Sequence, residues 1–163
     1  PVVTKTYDAL PEATAAAKIP DGVTVWHRMG DCGYLDPAGR LWFCGRKAER
    51  VETARGPLFT EPCEQVFRAH PRVTRCALIG LGEPGRQRPA LVVEARPRNP
   101  ADGQAFIREL RYLGQAQAHT AAITLFYFHP KFPVDVRHNA KIYRLALARW
   151  AVTAEPFEEN PAS

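Results

Sequence analysis

In the stretch FPVDVRHNAKIYRLALARWA, residues 132 to 151, four polar or charged residues stand close together: Arg137, His138, Asn139 and Lys141. The spacing predicts an amphipathic helix here, with Asn139 as N-cap and Lys141 in the first turn. Tyr143, Leu147, Trp150 and Ala151 follow at apolar intervals. A lysine in a first turn opposes the partial positive charge of a helix N-terminus. It makes sense there if an anion joins the backbone N–H groups and the side-chain donors, as a phosphate or carboxylate would. Spacing alone favours a plainer reading, a solvated basic surface turn. His138 carries a ring whose ordinary pKa suits a base near neutrality. His27, His70, His119 and His129 have weaker claims to chemistry.

The elements that must hold these residues can be read along the chain. At 163 residues, with 45% hydrophobic and 24% charged content, the sequence is that of an ordinary globular protein of one domain, or one domain and part of another. No apolar run is long enough to span a membrane as a helix. The net charge of +5 is dispersed, without basic patches interleaved with aromatics, so nucleic-acid binding is not expected. Cys32, Cys44, Cys63 and Cys76 form no C-x-x-C pair, which leaves zinc ligation without support and predicts no metal site. Cys63 and Cys76 read as buried free thiols, and a reducing, cytoplasmic setting is the simplest expectation.

EATAAAK (12–18) looks helical, VWHRMGDCGYLD and LWFCGR read as the two strands of a hairpin, and KAERVETARG reads as a polar junction. Beyond it a helix is expected from Thr60 or Glu61, with Cys63, Val66 and Phe67 on its apolar face. Strands TRCALIGLG and PALVVEA, a helix opened by Asn99 and Pro100, strand AITLFYFHP and a final helix follow. This order predicts an α+β domain, and the tail EPFEENPAS is expected to be loose.

The ordered set Met29-Gly30-Asp31, Gly45-Arg46-Lys47, Gly56, Glu64 and Asn139-Ala140-Lys141 resembles the end of an adenylate-forming enzyme. In this superfamily of acyl-CoA synthetases, luciferases and peptide-synthetase adenylation domains, the pattern runs T-G-D, G-R-(K/D), G, E-x-E and P-x-T-x-(S/G)-G-K-x-x-R. The resemblance implies that residues 1–46 are the β-rich tail of a large AMP-binding domain and residues 47–163 its mobile α+β lid. The phosphate loop and adenine motif of the family do not occur in this sequence, so this piece alone is expected to be inactive. By resemblance Asp31 accepts the ribose hydroxyls of ATP, Arg46 lies near ribose and phosphate, and Phe43 lies against adenine. Lys141 would reach the reacting carboxylate and the α-phosphate, with Mg²⁺ bridging phosphate oxygens.

Departures from the family pattern narrow the branch. Ala48 stands at the hinge position, usually Asp or Lys; the glycine loop reads ARGPLFTEP, stiffened by Pro57; and Ala140 replaces a glycine before Lys141. The stretches WHRMGDCGYLDPAGRLWFCGRKAERV and FPVDVRHNAKI look most like the olefin β-lactone synthetases of bacterial hydrocarbon biosynthesis. That likeness implies a long-chain β-hydroxy acid substrate, adenylation without need of coenzyme A, and partners in other olefin-biosynthesis enzymes as well as the chain's own AMP-binding domain. His138 would then be a candidate acceptor of the hydroxyl proton. A fatty acyl-CoA synthetase and a non-catalytic partner-binding module are the alternatives.

Overall fold

The computed structural model describes residues 4–135 and 141–157. Its elements, in chain order, begin with α1 (Pro11–Ala17), β1 (Lys18–Asp21), β2 (Thr24–His27), β3 (Asp31–Leu35) and β4 (Leu41–Arg46). A 3-10 turn (Lys47–Glu49), β5 (Val51–Thr53), β6 (Gly56–Leu58) and α2 (Thr60–Arg68) follow. The remainder is β7 (Cys76–Leu81), β8 (Arg88–Glu94), α3 (Pro100–Gln115), β9 (Leu125–His129) and α4 (Arg144–Ala151).

The strands CALI, ALVV and LFYF are continuous apolar runs because their sheet is covered on both faces. β7 pairs antiparallel with β8, and β8 pairs parallel with β9. Side-chain alternation sorts the runs. Cys76, Leu78, Leu91, Val93 and Phe126 join Phe67 of α2 and Phe106, Ile107 and Leu110 of α3 in one core. Ala77, Ile79, Ala90, Val92, Leu125 and Tyr127 join Leu147 and Ala151 of α4 in the other. Burying each large apolar side chain stabilises the fold by about 1.5–3 kcal/mol. Cys63 and Cys76 belong to the first core, and burial, foremost, pushes both thiols up to about 12, so they act as small apolar groups.

α3 starts as its sequence demands. Asn99 accepts the N–H of Asp102 at 2.9 Å, and Asp102 accepts the N–H of Arg98 at 2.9 Å. Gly103 admits the ring of Phe157; a Cβ there would stand 2.8 Å from it. Phe157 itself donates its N–H to Phe126 O at 2.8 Å and packs edge-on against Phe128. The start of the tail is therefore pinned to β9, contrary to the expectation of a loose end.

Three further expectations are corrected. VWHRMGDCGYLD is two strands, β2 paired with β1 and β3 paired with β4, because Gly30 at φ +74° turns the chain between them. The polar junction contains a small hairpin, β5 with β6. The last helix begins at Arg144, so Lys141 precedes it and lies next to an antiparallel bridge between Val134 and Ile142. Tyr143 is correspondingly exposed rather than packed on the core. Asn139, read as the N-cap, lies outside the described residues.

Candidate active site

β3 and β4 place Asp31 directly opposite Arg46 in their antiparallel register. Arg46 Nη1 is 2.8 Å from Asp31 Oδ1 and donates to Met29 O, also at 2.8 Å. Both side chains keep solvent access, at 48% for Arg46 and 34% for Asp31, so the pair is worth at most about 1 kcal/mol to the fold. It leaves carboxylate and guanidinium edges available to a ligand.

Gly45, just before Arg46, has φ +117°, and a Cβ there would run into Thr60 Oγ1. Only glycine lets β4 pass this close to the start of α2. The close approach shapes a cleft of about 300 Å³ lined by Phe43, Gly45, Arg46, Glu49, Thr60, Glu61, Lys141 and Arg144. Phe43 is 53% exposed, a large apolar surface left open beside the charges. Three residues singled out in the sequence, Phe43, Arg46 and Lys141, thus share one cleft, and Asp31 is joined to it through Arg46. His138 lies outside the described residues.

Sequence reasoning gave no role to Glu49 and Glu61, and noticed Glu64 and Arg144 only as parts of motifs. Arg144 Nε and Nη2 donate to the two oxygens of Glu64 at 2.8 Å each, and Nη1 donates to Glu49 at 2.9 Å. Glu64 is 0% exposed and also accepts the N–H of Leu78 at 2.9 Å. Burial raises its pKa above the ordinary glutamate value, against the lowering pull of Arg144. Burial also works against the charge of Arg144, but Glu64, Glu49 and Glu61 outweigh it and hold the guanidinium above its ordinary value. A signal was present in the sequence: Glu64 sits between Cys63 and Phe67 on the apolar face of α2, where an acid needs a buried partner.

Two larger clefts lie elsewhere. One, of about 700 Å³, is bordered by Tyr7, Leu10, Lys18 and Val25; the other, of about 620 Å³, lies beside Gly56 with Arg55, Arg86, Arg88 and His119. Neither gathers the residues above. Among the described residues no helix is long and apolar enough to cross a membrane.

A solved structure of o-succinylbenzoate CoA synthetase from Bacillus subtilis, in complex with its acyl-adenylate intermediate, matches the chain with a TM-score of 0.67 at 21% identity. The match takes in 94% of this chain and 29% of that one, and it defines the fold. In this fold and in the relatives that follow, the chain is similar to the C-terminal portion of adenylate-forming enzymes. It is 52% identical over 157 residues to the olefin β-lactone synthetase of Xanthomonas campestris pv. campestris. It is 53% identical over 156 residues to that of Stenotrophomonas maltophilia. Each alignment takes in 93% of this chain and 28% of the relative, so the chain spans little more than a quarter of the curated relatives' length. No family model matches the sequence.

Proposed function

We propose that this chain is the C-terminal part of an ATP-dependent ligase that adenylates a long-chain β-hydroxy acid and closes it to a β-lactone. The observation that carries the reading is the cleft in which Lys141 faces Arg46 and Phe43, with Asp31 bound to Arg46. The identity of more than half with two olefin β-lactone synthetases supports the choice of product.

In this reading residues 1–46 end the AMP-binding domain and residues 47–163 are its lid. The apolar side chains that residues 1–46 expose, among them Trp26, Tyr34, Leu35, Leu41 and Trp42, support that division, since a larger domain would cover them.

The chemistry proceeds in two steps. A carboxylate oxygen of the acid attacks the α-phosphorus of ATP, the bond from α-phosphorus to the bridging oxygen breaks, and pyrophosphate leaves. Lys141, a compact cation, neutralises the charge that builds on the α-phosphoryl and carboxylate oxygens. Asp31 accepts hydrogen bonds from the ribose hydroxyls, Arg46 holds ribose or phosphate oxygens, and Phe43 supplies an apolar face to adenine. In the second step the β-hydroxyl oxygen attacks the acyl carbon of the same molecule, the bond to AMP breaks, and AMP leaves. Attack within one molecule gains from proximity. His138, three residues before Lys141, is the candidate to receive the hydroxyl proton.

No group of three metal-ligating side chains stands among the described residues. In this reading Mg²⁺ would come with the phosphates of ATP and offset their charge.

One observation favours a second reading. The cleft beside Gly56 carries Arg55 and Arg86, a surface able to receive the phosphates of coenzyme A, and a thiol would then replace the hydroxyl in the second step.

The full-length enzyme, incubated with ATP, Mg²⁺ and a long-chain β-hydroxy acid, is expected to yield β-lactone, AMP and pyrophosphate whether or not coenzyme A is present. A coenzyme A thioester as the product, formed also from a simple fatty acid, would select the second reading. Lys141→Ala is expected to lower pyrophosphate release about 10²-fold or more. Unchanged release would remove Lys141 from the mechanism.

A further inference from the structure

Lys141 stands on a long flexible side chain and has no ion-pair partner among the described residues. Its aim therefore depends on how firmly the backbone beneath it is held. On one side, Asp135 N donates to Lys141 O at 3.0 Å, and Tyr143 N donates to Pro133 O at 2.9 Å. Ile142, next to Lys141, is buried in the core that β7, β8, β9 and α4 share.

On the other side stands Arg144, the first residue of α4. Its fork closes on both oxygens of Glu64, and its remaining nitrogen reaches Glu49. Glu64 is anchored in turn to the Leu78 N–H of β7. Glu49 is the last residue of the 3-10 turn that starts directly after Arg46. It follows Ala48, the position at which the proposed lid would turn.

We infer that the Glu64–Arg144–Glu49 network positions Lys141 for adenylation, by tying the chain that carries it to the core of the proposed lid and to the turn after Arg46. The inference rests on the adenylation role proposed for Lys141. Buried ion pairs add little net stability compared with apolar packing, but they hold a defined geometry once formed. Stability alone therefore does not account for an acid this deeply buried beside the cleft. Arginine is required because a planar fork fixes both oxygens of Glu64, which an ammonium cannot do.

The test uses the full-length enzyme and measures pyrophosphate release in single turnovers. Arg144→Lys and Glu64→Gln are each made alone and together with Lys141→Ala, with thermal midpoints recorded throughout. Misplacing the ammonium by an ångström is expected to lower the adenylation rate about 10²-fold while KM for ATP moves less than about threefold. In the Lys141→Ala background the same substitutions are expected to change the rate less than about twofold, because the group they position is already gone.

Losses that multiply in the Lys141→Ala background, although Lys141→Ala alone is slow, would overturn the positioning role and leave the proposed function standing. Normal adenylation by Lys141→Ala would overturn the inference together with the role of Lys141 on which it rests, and would leave the ligase reading to be decided by the product test. Should Glu64→Gln fail to fold, Glu49→Gln removes the less buried limb and leaves the fully buried acid paired. A smaller loss, about threefold to tenfold and again absent without Lys141, is the expected result; a loss equal in both backgrounds overturns the inference.

Discussion

Asp31 and Arg46 show how a pair of modest structural value can carry function. Their contact is solvent-exposed on both sides, so removing one charge changes folding little. Asp31→Asn in the full-length enzyme is expected to shift the thermal midpoint by no more than about 1–2 °C. In the proposed reaction the same change weakens the acceptor for the ribose hydroxyls, and KM for ATP is expected to rise about tenfold. Steady-state kinetics at varied ATP, set beside a melting curve, separate the two effects. An unchanged KM would remove Asp31 from the nucleotide site. At this scale the sequence was informative: Lys141 was singled out from its place in the chain, and Asp31, Phe43 and Arg46 through the superfamily resemblance. Glu49 was not, and Arg144 entered only as the end of the K-x-x-R motif, because a charge shows nothing of its partner until the chain is folded.

The helices and strands follow their local signals closely wherever those signals are chemical. α3 begins at Pro100 behind Asn99, as the sequence reading expected. Asn99→Ala is expected to lower stability by about 0.5–2 kcal/mol, measurable by denaturant unfolding. Its partner Asp102 has a depressed pKa, first through the Arg98 N–H and further through Arg72. A carboxylate depressed in the folded state contributes stability that is present above its ordinary value of 3.8 and lost as pH falls through the depressed one. Unfolding midpoints taken through that acid range should therefore fall, and Asp102→Asn should fall less steeply. Signals failed where geometry is non-local. The helical spacing of Tyr143, Leu147 and Ala151 is genuine, yet the helix starts at Arg144, because the backbone at residues 141 to 143 is engaged with residues 133 to 135. Lys141 owes its place to that engagement rather than to a helix first turn.

On the scale of the whole molecule, burial is unevenly shared. The sheet β7–β8–β9 is packed on both faces, whereas β3 and β4 leave Tyr34, Leu35, Leu41, Trp42 and Phe43 exposed. Amide hydrogen exchange of this chain is expected to be slowest in Leu78, Leu91, Val92 and Phe126, and faster by orders of magnitude in the β3–β4 hairpin. Equal protection in both regions would contradict the assignment of the core. The sequence by itself determined the order of elements from residue 60 onward, the cap of α3 and the superfamily resemblance. Each of these is written in neighbouring residues, through apolar periodicity, turn chemistry or motif order. Tertiary structure alone decided that Lys141 shares a cleft with Phe43 and Arg46, and that Glu64 closes on Arg144 across 80 residues of chain. Periodicity tells which face of an element is apolar, but which acid meets which base is settled only when packed faces bring distant segments together.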